Sequence, residues 1–169
     1  MESRTASSKW KRKMKIANLG VVSTADAAAL FRAALPKEQK EERVFVLPLD
    51  AHGQVLAKPI LVSVGSDDGT AVIDAGAIFR EALKAGAEEI IVAHNHPSGD
   101  LTPSKADIAS TKELKALASR LGVPLVDHII MGSSSSASGG EFVSLAESGR
   151  LDGICEECKS AKIKSGGRR

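Results

Sequence analysis

Two histidines two residues apart open the stretch H-N-H-P-S-G-D-L-T-P-S-K-A-D, from His94 to Asp107. They stand where an apolar run, E-E-I-I-V-A-H at 88–94, gives way to prolines and a glycine. Such a run directly after a helical pattern reads as a buried strand. Residues i and i+2 of a strand face the same side, so both imidazoles can aim at one point. Asp107 falls in the first turn of the next helix, and strand end, loop and helix start can fold it back beside them. Two imidazole nitrogens and one carboxylate oxygen make a three-ligand set that leaves a fourth position on zinc open to water. An open position implies chemistry, because zinc lowers the pKa of bound water towards ~7 and polarises a carbonyl. The site then needs a base for the water's proton and a donor for the developing oxyanion. Ser104 is the candidate donor. Glu41 or Glu42 is the candidate base, with Glu42 favoured because it stands directly beside a strand.

Most of these residues also have a plainer role open to them. Ser104 and Asp107 form S-x-x-D, a capping box, in which the carboxylate serves free helix amides rather than a metal. The two glutamates also fit a solvated connection, and Pro97, Gly99 and Pro103 fit as turn formers. By alternation His128 shares a strand face with Val126 and Ile130, so it reads as a core imidazole or as one standing behind a ligand. Asp127 beside it orients either a loop or a metal-bound histidine. His52 lies in a hairpin turn and reads as exposed. A zinc deaminase is excluded by its chemistry, which needs H-x-E and a later P-C-x-x-C. The two cysteines, Cys155 and Cys158, lack the preceding proline, and one C-x-x-C cannot complete a four-cysteine site. They read as thiols of a tail in a reducing cytoplasm.

The elements that must position these groups can be read from periodicity and breakers. A helix over 24–35, capped by Ser23 or Thr24 and carrying Asp26 in its first turn, stops at Pro36. Strands are expected at 43–49 and at Val55–Val64, the second with Pro59 as a bulge or edge position. A loop follows at 65–70. A second helix starts at Asp74 and ends near Gly86. After the strand at 88–94, a long helix is expected from Ser104 to Leu121, stopped by Gly122. A strand at 123–131, a serine-rich loop at 133–140 and a short strand at Phe142–Leu145 complete the pattern. Interleaved helices and strands specify a single layered α/β domain, a mixed sheet flanked by helices, over residues 16–154.

Charge divides the chain into the same parts. Its 169 residues, a single domain's worth, carry a net charge of +2. Residues 1–15 contribute +5 and residues 155–169 contribute +3, which leaves the middle at −6. Basic character therefore sits in two flexible tails around an acidic body, where it either contacts DNA weakly or is solvated. Aromatic residues make up 3% of the chain, with no tyrosine, too few for a base-stacking platform. No apolar stretch approaches the ~20 residues of a membrane span, and no signal peptide is evident. A cytoplasmic protein without membrane contact is expected.

The motif H-x-H, seven residues, then S-x-x-D resembles that of the JAMM (MPN+) zinc metalloproteases. The full wording of 94–107 is most similar to the RadC-like branch. The similarity continues in E-A-L-K-A-G-A at 81–87, L-V-D-H-I-I-M-G at 125–132 and E-F-V-S-L-A-E at 141–147, and covers about residues 38–150. The resemblance implies a cytidine-deaminase-like α/β fold, with Zn2+ held by His94, His96 and Asp107 and water as the fourth ligand. It also implies Glu42 as general base and Ser104 as the group steadying the tetrahedral intermediate. The activity implied is hydrolysis of a peptide or isopeptide bond in a protein or peptide substrate. RadC-like proteins also carry a DNA-repair label, which implies as the alternative an accessory protein with a structural or inactive metal site. Two departures stand out. The chain is too short for a complete N-terminal helix-hairpin-helix region of the kind usual in that branch, and A-G-A at 75–77 stands where the family tends to have P-R-E.

Overall fold

In the computed structural model, which describes residues 23–66, 69–133 and 141–151, strands β1 (Arg43–Leu49) and β3 (Glu89–Asn95) are buried almost throughout. Their alternating side chains feed two separate layers. Val44, Val46, Ile90 and Val92 pack against helices α2 (Ala75–Lys84) and α3 (Lys105–Leu121) through Ile78, Phe79, Ala82, Leu114 and Ala118. Phe45, Leu47, Ile91 and Ala93 pack on the other face against Ala27, Ala28 and Phe31 of helix α1 (Thr24–Ala34). Burial on both faces explains the near-continuous hydrophobic runs, since neither face can be polar.

The sheet has five strands in the order β2-β1-β3-β4-β5, with β2 at Ile60–Val64, β4 at Leu125–Met131 and β5 at Phe142–Ser144. Only β3 and β4 run parallel; β1–β2, β1–β3 and β4–β5 are antiparallel. A parallel pair needs a crossover, and α3 supplies it. The result is the mixed-sheet, single-domain α/β architecture expected from the sequence, consistent with the JAMM (MPN+) resemblance. It places the carboxyl end of β3 beside the amino end of α3. No helix among the described residues is long and apolar enough to cross a membrane.

Helix boundaries follow their local signals. Ser23, Asp74 and Ser104 cap the three helices among the described residues, and Gly122 ends α3 at φ 67°, a conformation that costs glycine nothing. The second strand is shorter than expected. Val55 makes only an isolated bridge to Leu49, and the ladder starts at Ile60, because the chain bends at 57–58 and Pro59 has no amide hydrogen to donate. Both basic tails, Cys155 and Cys158 lie outside the described residues, as does most of the serine-rich loop.

Candidate metal centre

β3 delivers His94 from within the strand and His96 just beyond its end. α3 delivers Asp107 from its first turn, as its third residue. The two Nε2 atoms are 2.9 Å apart. His94 Nε2 lies 3.1 Å from Asp107 Oδ1, and His96 Nε2 lies 3.4 Å from Oδ2. One ligand atom from each residue falls within 4.8 Å of the other two, so this group could hold a metal ion. All three side chains are buried, Asp107 at 7% exposure.

The donor set suits a cation. His96 Nδ1 is 2.6 Å from the Asp100 carbonyl, which can only accept, so Nδ1 carries a hydrogen and a neutral His96 turns a bare Nε2 to the centre. A bare nitrogen beside two carboxylate oxygens is a cluster of acceptors, which a proton or a metal satisfies. The electrostatics agree. The Asp107 carboxylate raises the His96 pKa above its ordinary value against the opposing effect of burial, helped by the Asp100 carbonyl and the charge of Glu42. Burial pushes the Asp107 carboxyl up. The imidazoles of His94 and His96, with the Ser104 amide, outweigh it and hold the carboxyl well below the usual range.

Asp107 also closes a complete capping box. Ser104 N–H donates to Oδ2 at 2.7 Å, and Asp107 N–H donates to Ser104 Oγ at 3.0 Å. The carboxylate serves both roles at once: Oδ2 closes the cap and also lies near His96, while Oδ1 faces His94.

Glu42 lies half-buried just before β1, tied to the chain that follows β2. Its Oε2 accepts the Ala71 amide at 2.9 Å, its own amide donates to Gly69 O, and its carbonyl accepts from Gly65 N–H. Gly65 permits this closeness, because a Cβ there would sit 2.3 Å from the Gly69 carbonyl oxygen. Glu42 and Ser104 line two adjoining clefts, one of about 400 Å³ that includes His96 and one of about 260 Å³ that includes Asp107. Glu41 is exposed and turns to Arg43 instead, at 3.6 Å.

His128 and Asp127, neighbours on β4, point to opposite faces of the sheet. His128 is fully buried with Nε2 2.9 Å from His94 Nδ1, so it stands behind a candidate ligand. Burial, reinforced by the charge of His94, pushes its pKa down to about 3. Asp127 shares its face with Ile129 and Met131. It accepts from Ser144 Oγ at 2.6 Å, from Ala146 N–H at 3.0 Å and from the His128 backbone amide at 2.7 Å, and so orients the turn after β5 and the β4 backbone rather than a histidine ring. Val126, expected to share the His128 face inside the core, is 41% exposed. The register shift is the reason: Ile90 pairs with Leu125 and Ile91 with Asp127, which leaves Val126 bulged out. His52 is exposed, and its amide donates to Asp50 at 2.8 Å.

Two contributors were not read from the sequence. Asn95 Oδ1 accepts the Arg43 amide at 2.8 Å and its Nδ2 donates to Glu41 O at 3.2 Å, clamping the chain on both sides of Glu42. Thr111 Oγ1 lies 2.6 Å from the Asp107 carbonyl and 2.7 Å from His128 Nδ1. Its place four residues after Asp107, on one helix face, was the available signal.

Residues 21–150 match the model of the RadC-like JAB domain. The chain belongs to the RadC-like JAB domain family. Among curated relatives it is similar to a UPF0758 protein of Carboxydothermus hydrogenoformans, 45% identical over 100 residues, covering 59% of this chain and 43% of the relative. A UPF0758 protein of Chlorobium chlorochromatii is 38% identical over 131 residues, 78% of this chain and 55% of the relative. One of Methanosarcina mazei is 37% identical over 113 residues, 67% and 46%. The chain therefore spans about half the length of the curated relatives it matches. None of these names states an activity.

Proposed function

We propose that this RadC-like JAB domain is a zinc-dependent hydrolase of peptide or isopeptide bonds. One observation carries the reading: His94 converges with His96 and Asp107, which line clefts that Glu42 and Ser104 also line. Two imidazoles and a carboxylate are the ligands of hydrolytic zinc sites that keep a position open. Zinc bound there would supply Lewis acidity, lowering the pKa of water and polarising the substrate carbonyl. The chain's own groups do the rest. Glu42, with Oε2 held by the Ala71 amide, takes a proton from the attacking water on Oε1. Ser104 Oγ accepts the Asp107 amide, so its hydroxyl hydrogen is left to donate to the carbonyl oxygen as negative charge develops. The water oxygen bonds to the carbonyl carbon, the carbon–nitrogen bond breaks, and Glu42 returns the proton to the leaving amine.

A zinc-replete peptide-library assay tests this, comparing the native chain with Glu42→Gln. Cleavage by the native chain that falls about 10²–10⁴-fold in the variant supports both the reaction and the base. Persistent cleavage in the variant removes Glu42 from the role. Failure of the native chain to retain about one zinc under non-chelating conditions removes the metal. Charge supports a second reading, an accessory protein that contacts DNA through its tails, residues 1–15 at +5 and 155–169 at +3. DNA binding that falls steeply with salt and disappears when both tails are removed would support it; binding unchanged by truncation would not.

A further inference from the structure

The geometry points to Thr111 and His128 as positioning residues that fix the His94 ring with its Nδ1 protonated and its Nε2 bare towards Asp107 and His96. This rests on the reading of the centre as a metal site and concerns how the chain prepares one ligand.

The assignment follows from counting hydrogens along three contacts. A threonine hydroxyl has one hydrogen, and a backbone carbonyl can only accept. Thr111 therefore spends its hydrogen on the Asp107 carbonyl, 2.6 Å away and one helical turn back. Towards His128 Nδ1, at 2.7 Å, the same oxygen can then only accept, so Nδ1 carries a hydrogen. His128 is fully buried between α3 and β3, where a neutral ring is strongly favoured over a charged one. Its Nε2 is thus bare and accepts from His94 Nδ1–H at 2.9 Å. With one ring nitrogen protonated, a neutral His94 presents a lone pair on the other, 3.1 Å from Asp107 Oδ1.

Three elements take part: α3 gives Thr111, β4 gives His128 and β3 gives His94. The chain begins at the carbonyl of Asp107, so one threonine ties two candidate ligands to each other. His96 is oriented separately, by the Asp100 carbonyl at 2.6 Å. Loss of the relay should therefore weaken one ligand and leave the other in place. Partners behind a histidine ligand typically change metal affinity by about 10–100-fold.

The test uses the full chain with zinc alone as the probe. Zinc affinity is measured by chelator competition, and the His128 tautomer by nitrogen-15 NMR. The native chain should show His128 with its hydrogen on Nδ1. Thr111→Val, close in volume to the original, and His128→Phe, a larger ring without nitrogen, should weaken zinc binding about 10–100-fold. Thr111→Ser, which keeps the hydroxyl, should restore most of it, as should His128→Gln, which keeps an acceptor facing His94. Thr111→Val should also lose the Nδ1 preference of His128, which a merely space-filling role would not move. If His128→Phe does not fold, the threonine pair carries the test. Native-like zinc affinity in a folded Thr111→Val, or a native His128 with its hydrogen on Nε2, overturns this proposal alone. A native chain that takes up no zinc overturns the metal-site reading and this proposal with it.

Discussion

Two helices of this chain begin with the same four-residue device. Ser23 and Asp26 close a capping box on α1, and Ser104 and Asp107 close one on α3, each with the serine amide on Oδ2 and the aspartate amide on Oγ. In α1 those contacts are both 3.2 Å long, in α3 they are 2.7 and 3.0 Å. Ser23 and Asp26 are exposed, and Ser23's hydroxyl also donates to Asp26 Oδ2 at 2.6 Å. Asp107 is buried, and the strand end opposite brings two imidazoles to its carboxylate. Both aspartates are held below their ordinary pKa. In Asp26 the Ser23 hydroxyl and amide do this almost unopposed, whereas in Asp107 the surrounding groups must first overcome burial. The same motif is a cap in one place and a cap plus a candidate ligand in the other. What faces it makes the difference.

The comparison can be broken most sharply at the aspartates. Asp107→Asn should reduce zinc affinity by more than the roughly 100-fold expected of an outer partner, whereas Asp26→Asn should leave it unchanged. Chelator competition on both variants decides, and equal affinities would mean that Asp107 is only a cap. The serines come next. Ser23→Ala and Ser104→Ala should each cost about 1 kcal/mol in denaturant unfolding as lost caps. Only Ser104→Ala should also slow peptide hydrolysis, by about 10²–10³-fold, if its hydroxyl serves the oxyanion; equal rates would remove it from that role.

pH sharpens the contrast further. His96 has a raised value, so in the metal-free chain its contribution to stability is full below 6.5 and is lost as pH rises through the raised value. Metal must displace that proton, so zinc affinity should fall as pH drops through the same raised value. Chelator competition across that range measures the slope, and a flat profile would show that His96 is not a ligand. Asp26 contributes the opposite slope at acid pH only, its stability being lost as pH falls through its lowered value. The smallest expected effect on the metal is at the clamp beside Glu42. Asn95→Ala leaves the Arg43 amide without its acceptor and should cost about 1–3 kcal/mol in unfolding. It should lower turnover while zinc affinity stays near native, and an unchanged turnover would show that Glu42 holds its place without Asn95.

Local signals make much of this legible in the sequence. Apolar runs marked β1 and β3, Ser104 and Gly122 bracketed α3, and H-x-H followed by S-x-x-D brought together the residues of the centre. Those features depend on neighbours within a few positions, which is the range over which strand alternation, capping and turn chemistry act. Pairing escaped it where a single residue changes the register. Val126 looked like a core position until the shift against Ile90 and Ile91 pushed it out, and only the assembled sheet put Asp127 against the turn after β5 and His128 against His94.

The residue types and spacing of the candidate centre, the α/β class and the helix caps were determined by the sequence itself, because short-range geometry constrains them. The tertiary structure decided which of two identical caps meets histidines, and that Glu42 rather than Glu41 lines the clefts. It also decided that Thr111, through His128, stands behind His94. Each of these depends on contacts between elements far apart in the chain, 34 residues in the case of His94 and His128. Such contacts are set by how the whole sheet and its helices pack, and no local pattern encodes them.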